Sequence, residues 1–480
     1  MRPEITLGLS SFALCLISTP VCRGISLRLG IVDRPDGTRK LHTSPVPRVG
    51  GIAIAFSYAM ALALLLFFAP NGMSILLRHK ALLLAVLPPA CIIFVTGLID
   101  DLAGLKPLAK LAGQAVGAAL AVALGARITL IAGSPVSPWI TLPLSFFWLL
   151  ACTNALNLID GLDGLATGVG LFATLTTVLA AILQGNSGLI VATVPLACCL
   201  LAFLVYNFHP ASVFLGDCGS LTIGFLLGSF ALVWSQRSPT LLGMTAPLMV
   251  LALPLLDVGL AIGRRYLSSR PVFGADRGHI HHRLLALGFA PRDAALILYG
   301  VCGVAAVLSL LQSVIAERFQ GLLLIVFCCL VLLGVKRLGY VEFSTAWKLL
   351  SQRAFLRGMQ ETMYLDRLAA SLDAADSLDA CWEVICAMCG ELQFVSVEME
   401  YDGQSYAGVL QIAEEEPDWA MTLTLGSQGM LRITRHSEIK SPSLMMLALH
   451  TVREHLCGRL TPANETASEP EGQLVASSVA

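Results

Sequence analysis

Four short polar stretches gather the side chains best suited to chemistry: Asp100-Asp101; Asn154, Asn157, Asp160 and Asp163; Asp217; and His279, His281 and His282 between Arg277 and Arg283. Adjacent carboxylates repel, so Asp100-Asp101 needs a cation or a shared proton. A helix-end ion network with Lys106 and Lys110 is the plainer account. A site that binds magnesium, or takes a proton from a phosphate, is the chemical one. Asn154, Asn157 and Asp160 follow one helical face, Asp163 repeats the spacing, and no basic residue balances them in their own loop. These are oxygen donors of the kind magnesium takes, although a polar turn capping two helices would use the same residues.

Asp217 sits in Gly216-Asp217-Cys218-Gly219-Ser220, directly before a glycine-rich apolar run. A helix N-terminus there favours either a carboxylate or a phosphate, and a plain cap is the simpler reading. Three His within four residues raise the question of zinc. Zinc prefers Cys, or His spread by three to five residues, and this loop has neither. Imidazoles beside guanidiniums better suit a diphosphate, since Arg contacts it through two parallel bonds. Further upstream, Arg34, Lys40 and Arg48 precede Gly50-Gly51 at an expected helix start. Propensity disfavours glycine there, whereas close backbone approach to a bound group would use it. Arg48 is therefore a candidate phosphate contact, against the alternative of an ordinary basic loop.

The elements that carry these stretches belong to a membrane. The 480 residues are 56% hydrophobic and 13% charged with mean hydropathy +0.76, which excludes a soluble globular protein. Apolar runs of spanning length fall near 4–22, 49–69, 81–99, 108–126, 139–154, 165–184, 188–206, 219–235, 241–262, 294–312 and 319–335. The expectation is an all-α polytopic membrane protein of about 11 transmembrane helices over 1–337. The first run has a single basic flank, Arg2, and no small-residue cleavage site, so it is read as a helix. Lys and Arg concentrate in alternate breaks, such as 23–48 and 264–292, which predicts that those breaks face the cytoplasm. All four polar stretches share that side, with the N-terminus periplasmic. The fourteen Cys show no metal spacing and read as small apolar side chains.

Residues 341–480 differ, holding 20 of the 32 acidic residues. After a basic juxtamembrane linker (338–364), a cytoplasmic α+β domain is expected over 365–462. It comprises a helix over 365–391, strands at 392–398, 407–412, 419–425 and 429–434, a helix over 444–460, then a disordered tail from 463. The order resembles a small sensor domain of the GAF type. No ligand set stands out, so a regulatory or polysaccharide-assembly partner is the alternative use. A chain ending near Lys336 or Arg337 retains every motif.

Taken in order, the Asp-Asp pair with Lys106, Pro107, Lys110 and Gln114, the Asn154 to Asp163 block, Gly216-Asp217-x-Gly219-Ser220 and His279-Ile280-His281-His282 are similar to the polyprenyl-phosphate N-acetylhexosamine-1-phosphate transferases. The resemblance covers about residues 1–335. His-Ile-His-His, rather than three consecutive His, points to the sugar-1-phosphate branch. It implies transfer from a UDP-N-acetylhexosamine to undecaprenyl phosphate with release of UMP, at the bacterial inner membrane. It implies Mg2+, with Mn2+ as a substitute, held by Asp217 with Asp101 in support. Asp100 would activate or orient the lipid phosphate. Arg277, His279, His281, His282 and Arg283 would hold the diphosphate; Asn154, Asn157, Asp160 and Asp163 would surround nucleotide and sugar. Membrane lipids and a homodimer are compatible partners, and no nucleic acid is expected. A lipid-linked sugar flippase is the rival, but it should carry ionisable groups at helix midpoints. Here the acids cluster at one set of helix ends, and the one interior candidate, Asp257, lies close to the same end of its run.

Overall fold

The computed structural model describes residues 3–33, 45–68, 71–131, 134–235, 245–267, 278–340, 354–410, 417, 419–425, 429–435, 442–458 and 476–478. Two compact units divide it at Phe343 and Ser344, six residues beyond the boundary expected at 337.

The first unit is helical: α1 (Pro3–Leu29), α2 (Gly50–Phe68), α3 (Gly72–Arg78), α4 (Lys80–Ala103), α5 (Pro107–Ala123), α6 (Pro138–Ile159), α7 (Leu165–Leu183), α8 (Ser187–Asn207), α9 (Gly216–Ser235), α10 (Thr245–Val250), α11 (Ala252–Leu267), α12 (Ile280–Ala286), α13 (Pro291–Val314) and α14 (Glu317–Arg337), with a two-residue hairpin, β1 (Leu130–Ile131) and β2 (Ser134–Pro135), between α5 and α6. Among the described residues nine helices are long and apolar enough to cross a membrane. The other two of the eleven expected runs differ in form. The run at 108–126 is α5, which has 17 residues. The run at 241–262 is split at Leu251 into α10 and α11. Pro254 explains the split, because it cannot donate a backbone bond to the preceding turn.

Helix α9 is the hub. It packs against α4, α6, α2 and α7, and every residue except Asp217, Thr222 and Val233 is buried. A helix apolar on all sides belongs in such a centre. By contrast α14 turns Leu322, Ile325, Leu332 and Leu333 outward, as a lipid-facing helix should. Buried hydroxyls inside the helices bond back to the preceding turn, as Ser57 does to the Ala53 carbonyl (2.7 Å) and Thr174 to Gly170 (2.6 Å), so no unpaired polar group is left there at those positions.

The second unit has helices α15 (Ala354–Ala374), α16 (Leu378–Glu391) and α17 (Pro442–Gly458) and strands β3 (Ser396–Tyr401), β4 (Gln404–Val409), β5 (Trp419–Thr424), β6 (Gly429–Arg435) and β7 (Ala476–Ser478). The sheet is antiparallel in the order β4-β3-β6-β5-β7. Val397, Met399 and Tyr401 of β3 point inward with Leu431 and Ile433 of β6, onto a core that includes Ile385, Phe394 and Leu449. The single helix expected over 365–391 is broken: Ser377 accepts the Ala380 amide (3.2 Å) and restarts the chain as α16, the behaviour of an N-cap. Of the tail expected to be disordered, Ala476–Ser478 forms an edge strand on β5.

Candidate active site

Backbone contact builds the site. A Cβ at Gly51 would lie 2.2 Å from the Gly219 nitrogen, and one at Gly97 would lie 2.6 Å from Cys218 Cα. The N-terminus of α2 also donates to the chain entering α9, from Gly50 to the Phe214 carbonyl (3.0 Å) and from Gly51 to Leu215 (2.8 Å). The Gly50-Gly51 pair, expected to admit a bound group, instead admits the backbone of α9. Together these contacts bring the last turn of α4, with Asp100 and Asp101, against the first turn of α9, with Asp217.

The two neighbouring acids then do different things. Asp101 accepts the backbone amides of Asp217 on Oδ1 and Cys218 on Oδ2, both at 2.8 Å. It caps α9 from another helix and satisfies donors that no turn of α9 can reach. Asp100 faces the other way, accepting the Leu105 amide (2.7 Å) on Oδ1 and the Lys110 ammonium (2.9 Å) on Oδ2. The same ammonium lies 2.6 Å from Asp217 Oδ2 and 3.3 Å from Asn157 Oδ1. Asn157 also donates to Asp217 Oδ1 (2.8 Å) and Ser220 Oγ (2.9 Å). Oxygens from three helices thus converge on one cation supplied by a fourth, α5.

The Asn154 to Asp163 block divides as well. Helix α6 ends at Ile159, so the three-residue spacing shares a helical face only as far as Asn157. Asn154 donates to Gln114 Oε1 of α5 (2.7 Å). Asp160 is half-buried at the helix end. Loss of solvent, and then the charges of Asp217 and Asp101, push its pKa up to about 8. Asp163 is turned away, holding His209 Nδ1 (2.8 Å) and the Ala211 amide (3.0 Å). Lys106 is exposed at the start of α5, and Arg48 pairs with Asp33 at 2.9 Å.

The His stretch forms the entry to α12. Buried Asp257 of α11 accepts His279 Nδ1 (2.9 Å) and the Ile280 amide (2.7 Å). His281 is buried beneath it, ring-stacked with His279 at 5.8 Å and 4.3 Å from the ring of His282. A Cβ at Gly161 would meet His281 Nε2 at 2.4 Å, so this loop packs on the one that follows α6. Neither His281 nitrogen has a partner among the described residues. Burial, followed by the nearby His282, pushes its pKa down to about 4. The ring of Tyr340 lies beside Arg283. Arg277, along with Arg34 and Lys40, lies outside the described residues.

Asp257 and Tyr340 had no place in the expected set. Asp257 lies inside an apolar run, and the signal for it was an acid following Leu253-Pro254-Leu255-Leu256 with no loop to explain it.

Residues 83–235, from α4 to the end of α9, match the family described as Glycosyl transferase family 4. The chain is 33% identical over 289 residues to the probable undecaprenyl-phosphate N-acetylglucosaminyl 1-phosphate transferase of Bacillus subtilis, covering 59% of this chain and 78% of that protein. It belongs to this glycosyl transferase family. A decaprenyl-phosphate N-acetylglucosaminephosphotransferase of Mycobacterium tuberculosis is 32% identical over 343 residues (64% of this chain, 81% of the relative). The Escherichia coli K12 undecaprenyl-phosphate alpha-N-acetylglucosaminyl 1-phosphate transferase is 26% identical over 336 (68% and 87%). The family match contains the whole acid cluster but not the His loop of this glycosyl transferase.

A divalent cation is compatible with the donors present. Lys110 already occupies the position of a positive charge among Asp100, Asp217 and Asn157. Among the described residues no three of His, Cys, Asp and Glu form a closed metal cage. Magnesium does not need one, being held typically by one or two carboxylates together with substrate phosphates and water.

Proposed function

We propose that this protein transfers N-acetylhexosamine-1-phosphate, GlcNAc-1-phosphate first among candidates, from a UDP-sugar to undecaprenyl phosphate, with release of UMP. The observation that carries this reading is the convergence of Asp100, Asp217 and Asn157 on one cation. The relatives' names, which contain a polyprenyl phosphate and an N-acetylglucosamine phosphate group, support the acceptor and the transferred group. The reaction would be the first membrane step of a cell-surface polysaccharide, with the site on the cytoplasmic face of the inner membrane.

Asp217 and Asp100 are the residues to hold Mg2+, or Mn2+ in its place, with Asn157 orienting Asp217. When bound, the ion would offset repulsion between two anionic phosphates and stabilise charge on the breaking phosphoanhydride. The metal role expected of Asp101 passes to Asp100, because both Asp101 oxygens hold α9. A phosphate monoester with a second pKa near 6 is largely ionised at pH 7. Positioning of the lipid phosphate by Asp100 and Lys110 therefore contributes more than removal of its proton. Asn154 and Asp160 face the nucleotide and sugar, while Asp163 keeps the 209–211 turn in place. His279, His281, His282 and Arg283, with Arg277, would bind the diphosphate, and Asp257 fixes the orientation of His279.

The acceptor's tail has a place to go. An apolar cavity of about 420 Å³ between α2, α4, α8 and α9 is lined by Phe56, Leu62, Phe94 and Leu226 and reaches Gly51 and Gly219, two residues from Asp217. It suits the first isoprene units of a lipid whose phosphate lies at Asp100.

The test is to incubate membranes containing the protein with undecaprenyl phosphate and a panel of labelled UDP-sugars, with and without Mg2+. Magnesium-dependent lipid-linked label and stoichiometric UMP are expected. Label-free lipid with every UDP-sugar would refute the assignment.

A further inference from the structure

We propose that Tyr340 is a positioning residue for the diphosphate-binding loop, so that the chain leaving the last membrane helix is a working part of the site. The inference rests on the transferase reading above for the identity of the ligand, and on geometry for the rest. After α14 the chain turns through Leu338 and Gly339, the latter at φ +66°, and buries Tyr340 to 3% exposure. The phenol donates to the Gly278 carbonyl at 3.1 Å, immediately before His279. Its ring centroid is 4.9 Å from the guanidinium carbon of Arg264, in the last turn of α11, and 5.0 Å from that of Arg283, in α12.

One side chain therefore touches the last turn of α11, the residue before His279, and α12. The contacts also fit each other: a Cβ at Gly278 would lie 2.6 Å from the Arg264 guanidinium, so only glycine lets that group pack where Tyr340 holds it. Two guanidiniums brought to one ring repel each other, and the negative face of the ring offsets part of that repulsion. It also fixes two planar cations in set orientations, which is what parallel bonding to phosphate oxygens requires. A ligand with two negative charges is the natural complement of the pair. Tyr340 lies three residues before the end of the first unit.

The test uses full-length protein with Tyr340→Leu, which keeps an apolar side chain but removes the ring, and Tyr340→Phe, which keeps the ring but removes the hydroxyl and its bond to Gly278. Hydrogen exchange over 278–287 should be faster in Tyr340→Leu. Its KM for UDP-GlcNAc should rise about tenfold or more, with the KM for undecaprenyl phosphate within about twofold, since only nucleotide-sugar binding is weakened. Tyr340→Phe should recover most of that loss, to within about threefold of wild type. Wild-type exchange and KM in Tyr340→Leu would overturn the proposal. So would an equal rise in both KM values with a fallen melting temperature in both variants, which marks a structural role only. If Tyr340→Leu does not insert stably, Tyr340→Phe alone decides: faster exchange at Gly278 and His279 supports the role, and wild-type exchange there refutes it. Should the wild-type protein transfer nothing from UDP-GlcNAc, the functional reading fails, and the exchange comparison still decides the role of Tyr340.

Discussion

Asp101 grips the backbone of the helix that presents Asp217, accepting the Asp217 and Cys218 amides at 2.8 Å each. Asp100, its neighbour in the chain, shares the Lys110 ammonium with the Asp217 side chain. One acid places the helix and the other shares its cation. Replacement by Asn should separate these roles. In Asp101→Asn the side-chain amide turns a donor toward one of two N–H groups, so stability should fall by about 1–2 kcal/mol and activity with it. Asp100→Asn should keep the melting temperature within a few degrees and lose at least ~10²-fold in kcat, as expected for a charge that acts in the transition state. Thermal unfolding in detergent beside initial rates reads both, and a stable, active Asp101→Asn would discard the capping role.

Asp217→Asn should abolish transfer while the protein still inserts, because it removes a cation's charge partner at constant size. Near-wild-type turnover at saturating Mg2+ would take Asp217 out of the metal site.

Lys110 holds Asp100 and Asp217 together where a divalent ion would also bind. Removing its charge should leave the two carboxylates more attractive to a cation and the acceptor phosphate less well placed. Lys110→Gln is expected to need less Mg2+ for half-maximal rate while its kcat falls at least ~10-fold. A higher Mg2+ requirement would show instead that Lys110 supports metal binding.

The pH dependence of stability has a defined sign at His281. Its pKa of about 4 in the folded protein lies below the ordinary value of 6.5, so the unfolded chain binds more protons between the two. The stabilisation from a neutral, buried imidazole is complete above pH 6.5 and is lost as pH falls toward 4. Between pH 8 and 5 the loss should be about 2 kcal/mol. His281→Gln should flatten the melting temperature over that interval; an equally steep decline in the variant would assign the effect elsewhere.

Much of the site was legible because its residues stand out against an apolar background. Asn157 and Asp217 are polar groups at helix ends with no basic residue in their own loops, Asp100 had Lys110 marked beside it, and the structure brings all four together. The other partners were not legible. The Asp101 oxygens meet amides 116 and 117 residues away, and Asp163 meets a turn at 209–211, so sequence spacing grouped both with the wrong neighbours. Gly50-Gly51 was correctly marked as a close approach, but the approaching group is α9 rather than a ligand. In the fold, Pro254 splits an expected span and Ser377 an expected helix. Both breaks follow from ordinary backbone chemistry that an unbroken apolar or amphipathic pattern had masked.

The boundary between the two units can be tested by chain length. Every sequence motif ends before Arg337, so the sequence predicts that a chain ending at Lys336 or Arg337 inserts and still transfers sugar phosphate. The structure places Leu338 against the helical core and Tyr340 against Arg264, Arg283 and Gly278, and the first unit runs to Phe343. A chain ending at Phe343 keeps all of these contacts and should retain kcat and both KM values within about twofold, because no residue of the site is disturbed. A chain ending at Arg337 should insert equally well yet show a higher KM for the UDP-sugar, since it loses the ring that gathers the two guanidiniums. Initial rates of both chains in one lipid preparation make the comparison. Equal KM values would return the boundary to 337, whereas loss of activity in the longer chain would mean that the C-terminal unit itself contributes to transfer.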